Sequence, residues 1–357
     1  MPDRDVSSCI YLDLYQEIED AGSIDQLHAI GTRMLDIMKP SITRGDNTKN
    51  IVRLISGLND AITSRLITLL DSSEGIRLPE GAVFFVLGSE GRSEQTLRTD
   101  QDSAIVYIDN LQPEKCNQIK RFATRLVDAL EEIGVPPCPG KIMASNPQWC
   151  HSISEWKELL DDWISTPTPE NMLHFGMLHD LRPLHGDEAL GRELCSYICS
   201  VVHRYSIFFP NMAAHVVRFP PPLTIFGQIR IEHEGEQKGK VDIKKAGIFA
   251  ISAGASLLSL EAGMIGGNTW EKLEFLGDKR IITRGDLARI DSAYTFLTQL
   301  RLQRQLQLQS VDGNSSNYID LHVMTDGELD QFLLSLRGVK TFLGIFRTHY
   351  LLDYISI

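Results

Sequence analysis

Apolar residues at helical spacing fill the first seventy positions and predict helices over residues 11–38 and 48–71. In the second of these, Ile51, Leu54, Ile55, Leu58, Ile62, Leu66 and Leu69 mark one face. Gly75 and Pro79 break the pattern. The run Ala82–Leu87, Ala-Val-Phe-Phe-Val-Leu, lies between Gly81 and Gly88 and reads as a buried strand. Ser103–Ile108 reads as a second. Pro113–Ile133 returns to helical spacing through Ile119, Phe122, Ala123, Leu126, Val127 and Leu130. Pro136, Pro137 and Pro139 end it, and Lys141–Ala144 is the candidate third strand.

Beyond Ser152 strand signals are almost absent. Trp156–Ile164, Pro169–Leu181 and Glu188–Tyr205 read as helices, Phe219–Leu223 (Phe-Pro-Pro-Pro-Leu) as a stiff break, and Glu232–Lys240 as an exposed polar loop. Asp242–Gly263 is apolar and rich in small residues, as a buried helix would be. Asp286–Gln309 reads as a long helix with Asp286 as its N-cap. The capping-box pattern Thr325-Asp-Gly-Glu328 opens a last helix through Phe346. The expected fold is therefore α+β: an N-terminal helical segment (1–75), a small mixed α/β domain (76–165) and a mostly helical domain (166–357).

A length of 357 residues and a hydrophobic content of 43% suit packed cores and more than one domain. The net charge of −12 argues against non-specific nucleic-acid binding, which needs a basic footprint. It leaves room for a nucleotide held in a local basic pocket. The six cysteines fit no zinc template, and packing as thiols is their simplest use. The opening Met-Pro-Asp-Arg-Asp has no apolar signal core, and no run is long enough to span a membrane. A cytoplasmic setting is expected, with no membrane partner.

The chemistry concentrates in Gly88-Ser-Glu-Gly-Arg-Ser-Glu-Gln95 and Thr99-Asp-Gln-Asp102. A Gly-Ser turn after a strand brings backbone N–H groups and a hydroxyl close to phosphate oxygens. Arg92 is near enough in sequence to assist. Side chains alternate along extended chain, so Asp100 and Asp102 point the same way. Two carboxylates on one face repel unless a cation lies between them, and Mg²⁺ is held by one or two carboxylates together with phosphate oxygens. Mn²⁺ suits the same donors. The segment reads as a site for a metal–nucleotide complex. It is neither a P-loop nor a dinucleotide fingerprint, because the G-K-[ST] and G-x-G-x-x-G elements are absent.

Leu87–Asp102 as a whole resembles the signature of the DUF294-type nucleotidyltransferases, relatives of the PII-protein uridylyltransferase (GlnD) in the DNA polymerase β-like superfamily. Ile55–Ile62 resembles the family's preceding helix, and Cys138–Pro147 with Trp149 the segment that follows. His179–Asp187, Asp242–Lys245 and Gln299–Leu302 with Gln305 resemble its C-terminal substrate-binding domain. The resemblance implies that Gly88 and Ser89 carry the nucleotide phosphates and that Asp100 and Asp102 hold the metal and are catalytic. Arg92 and Glu94 fall on signature positions. It implies an NTP substrate and leaves open a protein acceptor of the signalling type and a homodimer. Many members carry CBS domains ahead of this unit; these residues include none. The superfamily usually adds a third carboxylate from a later strand. Lys141–Ala144 has no acid, leaving Glu94, Asp180 or a two-carboxylate site as alternatives.

In the second half, Asp180 and Arg182 are candidates to face the nucleotide from a cleft, with a buried ion pair as the plainer alternative. Lys244, with Lys245, and Arg301 are candidate nucleotide contacts, while Arg304 reads as surface. Two functions follow: a Mg²⁺-dependent nucleotidyltransferase, uridylyltransferase-like, acting on a hydroxyl of a protein or small molecule, or a catalytically weak nucleotide-binding regulatory module.

Overall fold

The computed structural model describes residues 3–97, 100–224, 227–231, 237–309 and 317–354. Arg98 and Thr99 of the motif, and residues 232–236 of the polar loop, lie outside the described residues. The elements follow in the order α1 (Asp3–Asp20), α2 (Ile24–Arg44), α3 (Thr48–Glu74), β1 (Ala82–Val86), α4 (Gly88–Gly91), β2 (Ser103–Tyr107), α5 (Pro113–Glu132), β3 (Cys150–Ser152), α6 (Ile153–Ser165), α7 (Pro169–Leu178), β4 (Arg182–Gly186), α8 (Glu188–Val201), α9 (Phe208–Val216), β5 (Lys240–Asp242), α10 (Phe249–Glu261), α11 (Thr269–Asp278), α12 (Arg284–Gln309), β6 (Tyr318–Asp320) and α13 (Asp326–His349). The fold is α+β. No described helix is long and apolar enough to cross a membrane.

Two compact units form, each discontinuous in sequence. The first holds Met1–Asp46, Asn50–Leu159 and Leu181–Tyr197; the second holds Asn47–Lys49, Leu160–Asp180 and Ile198–Ile357.

The first unit is built on a four-stranded sheet of order β3-β2-β1-β4. β1 runs antiparallel to both neighbours and β3 parallel to β2. Every residue of β1 is buried, as a continuous apolar run requires. α5 covers part of it, with Phe122 edge-on to Phe84 at 6.3 Å between centroids. Trp156 of α6 is fully buried, and its indole N–H donates to the Ile105 carbonyl at 3.0 Å.

Several expectations are corrected here. The helix expected over 11–38 is two helices: the chain turns at Gly22, and Ser23 caps α2 by accepting from the Gln26 amide. Lys141–Ala144 is not a strand. It lies beside the start of β2 through one backbone bond, Ser103 N–H to Ile142 O at 3.1 Å, and one bond from Ala144 N–H to the Ser103 hydroxyl at 3.0 Å. The third strand is Cys150–Ser152. The helix expected to reach Leu181 stops at Leu178, and Arg182–Gly186 pairs with β1 as a fourth strand.

In the second unit α12 packs against α13, and α10 is buried almost all round. Its small residues permit this: a Cβ on Gly254 would meet the Phe342 ring at 2.5 Å. The helix expected over Asp242–Gly263 divides into β5, a π-helical turn at Lys244–Ile248, and α10. Asp286 is not the N-cap of α12. Thr283 takes that role, its hydroxyl accepting from the Asp286 amide and donating to the Asp286 carboxylate. The capping box at Thr325 and Glu328 forms as expected. β5 and β6 make a separate antiparallel pair.

Gly186 ends β4 at φ +105°, and a Cβ there would lie 2.3 Å from the Ala82 carbonyl oxygen. Gly186→Ala should therefore lower the stability of the first unit by about 1–3 kcal/mol, measured by urea unfolding with a tryptophan fluorescence readout.

Candidate active site

The site begins where β1 ends. Leu87 is extended, and its amide donates to the Asp102 carbonyl at 2.9 Å, closing the β1–β2 ladder by one further bond. Gly88 then takes φ +54°, a left-handed value that costs glycine little. The chain turns into α4, with the Leu87 carbonyl accepting from the Gly91 amide at 2.9 Å. Gly88 and Ser89 open this helical turn, so helical bonding does not use their N–H groups. Ser89 is half-exposed while Gly88 is buried.

Arg182 braces the turn from β4, where it lies opposite Val86. One guanidinium nitrogen donates to the Glu90 carbonyl at 3.0 Å and to the Asp60 carboxylate at 2.9 Å. Asp60 comes from α3, whose neighbouring Asn59 is fully buried and donates to Gln95 at 3.0 Å. α3 thus bonds Gln95 directly through Asn59 and reaches the Glu90 carbonyl through Asp60 and Arg182. Sequence reasoning named Arg182 but gave no role to Asn59 or Asp60; the only signal was the resemblance of Ile55–Ile62 to the family's preceding helix.

Asp100 and Asp102 do point the same way, though not as part of a strand, since β2 begins only at Ser103. Gln101 between them sets the alternation. Its side chain is buried and donates to the carbonyls of Val127 and Val135 at 3.1 and 2.9 Å, while its amide donates to the Pro136 carbonyl at 3.2 Å. With Gln101 pinned inward, both aspartates take the opposite side and stay half-exposed as residues, although one Asp102 oxygen is buried.

A third donor that the sequence did not suggest joins them. Among the described residues Asp100, Asp102 and Cys138 form one group whose ligand atoms all lie within 4.8 Å of one another. The Cys138 thiol hydrogen-bonds to Asp102, and burial together with that carboxylate pushes it up to about 11. The two carboxylates suit a divalent cation bound jointly with phosphate oxygens.

Glu94 has a different use. It is buried and holds Arg92, Oε2 to Nε at 2.9 Å. β3, the strand beside β2, reads Cys-His-Ser and carries no acid. The remaining candidates belong to the second unit. Asp180 is 1% exposed and its carboxylate is taken up by Lys272 at 2.5 Å and the Ser256 hydroxyl at 2.8 Å. Lys272 also donates to Ser256 at 2.8 Å, closing a buried triangle. The His179 ring lies against Asp180 at 3.7 Å. Arg301 is nearly buried and donates to Asn317 at 3.0 Å. Arg304 is half-buried rather than on the surface, donating to the Tyr318 carbonyl at 3.2 Å. Lys244 and Lys245 are exposed at the π-helical turn, and Lys245 faces Asp242 at 3.5 Å. The structure therefore brings Gly88, Ser89, Arg182, Asp100 and Asp102 into one unit. Asp180 and Arg301 are engaged in the interior of the other.

A family profile described as putative nucleotidyltransferase DUF294 matches residues 32–170, and one described as putative nucleotidyltransferase substrate binding domain matches residues 206–350. No curated protein matches the chain.

The Asp180–Lys272–Ser256 triangle makes its own demand on the second unit. Lys272→Met leaves a carboxylate buried without its counter-charge, so it should destabilise that unit by about 3–5 kcal/mol in urea unfolding, whereas Lys279→Met, exposed at the other end of the same helix, should change little.

Proposed function

Because the chain belongs to the DUF294 putative nucleotidyltransferase family, with both its nucleotidyltransferase and substrate-binding regions, we propose that it moves a nucleoside monophosphate from an NTP to a hydroxyl group. The observation that carries this reading is the convergence of Asp100 and Asp102 beside the Gly88–Ser89 turn. The acceptor oxygen attacks the α-phosphorus, the bond from that phosphorus to the bridging oxygen breaks, pyrophosphate leaves and the hydroxyl proton is released.

The residues divide the work. The Gly88 and Ser89 amides and the Ser89 hydroxyl donate to phosphate oxygens at the start of α4. Arg182 keeps the turn in place through the Glu90 carbonyl, so those donors are set before substrate arrives. Asp100 and Asp102 hold the divalent cation, Mg²⁺ or Mn²⁺. When bound, that ion neutralises charge on the triphosphate and helps align the displacement. Little further covalent machinery is needed, since such transfers depend mainly on positioning and charge. Arg92 is committed to Glu94, and its part is to stiffen the segment leading to the aspartates.

The acceptor belongs on the substrate-binding region, where the exposed Lys244 supplies positive charge. By resemblance to PII uridylyltransferases it is a signalling protein and the nucleotide UTP. The thiols of Cys116, Cys138, Cys150 and Cys199 fit a reducing, cytoplasmic setting. One observation favours a second reading, a catalytically weak nucleotide-binding regulatory module: β3 offers no third carboxylate, and Glu94 is bound to Arg92.

Incubation with each labelled NTP and Mg²⁺ or Mn²⁺ separates the two. Transfer of label with pyrophosphate release is expected, and Asp100→Asn should reduce it by at least about a hundredfold, consistent with several kcal/mol of charge stabilisation. Nucleotide binding without pyrophosphate release across protein and small-molecule acceptors would favour the regulatory module.

A further inference from the structure

Among the described residues, the donor grouped with Asp100 and Asp102 is a sulfur rather than a third carboxylate. Cys138 is 7% exposed, and its Sγ lies within 4.8 Å of oxygens on both Asp100 and Asp102. A divalent ion binds oxygen at about 2.1 Å and thiolate sulfur at about 2.3 Å, so neighbouring donors around a tetrahedral ion are about 3.6 Å apart. The three atoms therefore close by at most about an ångström, within the reach of side-chain rotation, to share one ion.

The backbone wraps the sulfur. Cys138-Pro-Gly-Lys141 folds into a turn closed by the Lys141 amide on the Cys138 carbonyl at 2.9 Å, with Lys141 at φ +56°. The turn folds back over the sulfur, so that a Cβ on Gly140 would lie 3.6 Å from Sγ.

We propose that Cys138 is the third protein ligand of the metal site, and that its thiolate makes the site favour thiophilic divalent cations such as Zn²⁺ or Co²⁺ over Mg²⁺. The inference rests on the metal site proposed above and supplies its missing donor. Binding displaces the thiol proton to solvent as the sulfur–metal bond forms. Mg²⁺ binds hard oxygen donors and gives up its water reluctantly, so it gains little from this sulfur. Softer ions gain directly. The absence of an acid from β3 and from the Lys141–Ala144 segment then has a chemical reason.

Titrating the metal-free full-length chain with Co²⁺ tests this without any turnover. The expected result is a near-ultraviolet thiolate-to-cobalt charge-transfer band that saturates at one ion per chain. Cys138→Ser and Asp100→Asn should each abolish it, while Cys150→Ser, at a thiol outside the cluster, should leave it intact. Cys138→Asp should lose the band and reverse the preference, binding Mg²⁺ about tenfold more tightly relative to Co²⁺ than the wild type does. Co²⁺ bound at Asp100 with no charge-transfer band would overturn the sulfur ligand and leave the two-carboxylate reading standing. No Co²⁺ or Mg²⁺ bound by the folded wild type would overturn both.

Discussion

The site depends on the hydrogen bond from the Leu87 amide to the Asp102 carbonyl. It is the last rung between β1 and β2, and it fixes which residue of the Gly88 turn faces which residue of the Asp100–Asp102 loop. Register in an antiparallel pair is all-or-none: a slip of one residue would put Gln101 outward and the aspartates inward. The register is held because β1 is buried on both faces and because Gln101 is pinned by three separate backbone partners. Three layers thus lock one short corner, the sheet beneath it, α3 through Asn59 and Asp60, and β4 through Arg182.

The sequence made the centre of this arrangement readable and left its supports obscure, for physical reasons. Gly88, Ser89, Asp100 and Asp102 announce themselves because a left-handed turn and two like charges leave a local mark. The two central strands announce themselves because they are apolar throughout. β4 has no such mark. Arg-Pro-Leu-His-Gly contains one aliphatic residue, and its proline is tolerated because the strand lies at the sheet edge, where a missing N–H is least costly. Lys141–Ala144 misleads in the opposite way: it has the composition of a strand and the position of one, but its neighbour bonds to it partly through the Ser103 hydroxyl.

Polar residues show the same division. Asp180 and Arg182, two positions apart, look like one feature in the sequence. In the structure they serve different purposes: Asp180 sits in a buried charge triangle with Lys272 and Ser256, and Arg182 braces a turn with Asp60. Their partners lie 92 and 122 residues away, so no local pattern could have separated them. Cys138 was hidden for a related reason. A cysteine is recognisable as a ligand when other ligands stand at template spacing, and here its companions are the aspartates at 100 and 102.

β4 carries one more consequence, for how this protein can be divided. The nucleotidyltransferase match ends at residue 170, twelve positions before the strand that completes the sheet. A fragment cut at that boundary would contain every residue of the motif and still expose the flank of β1, a fully apolar strand, as an open edge. Such edges recruit strands from other molecules. The smallest piece of this chain able to stay monomeric must therefore run past Gly186, and on the ribosome the turn at Gly88 waits for almost a hundred further residues before its brace is made.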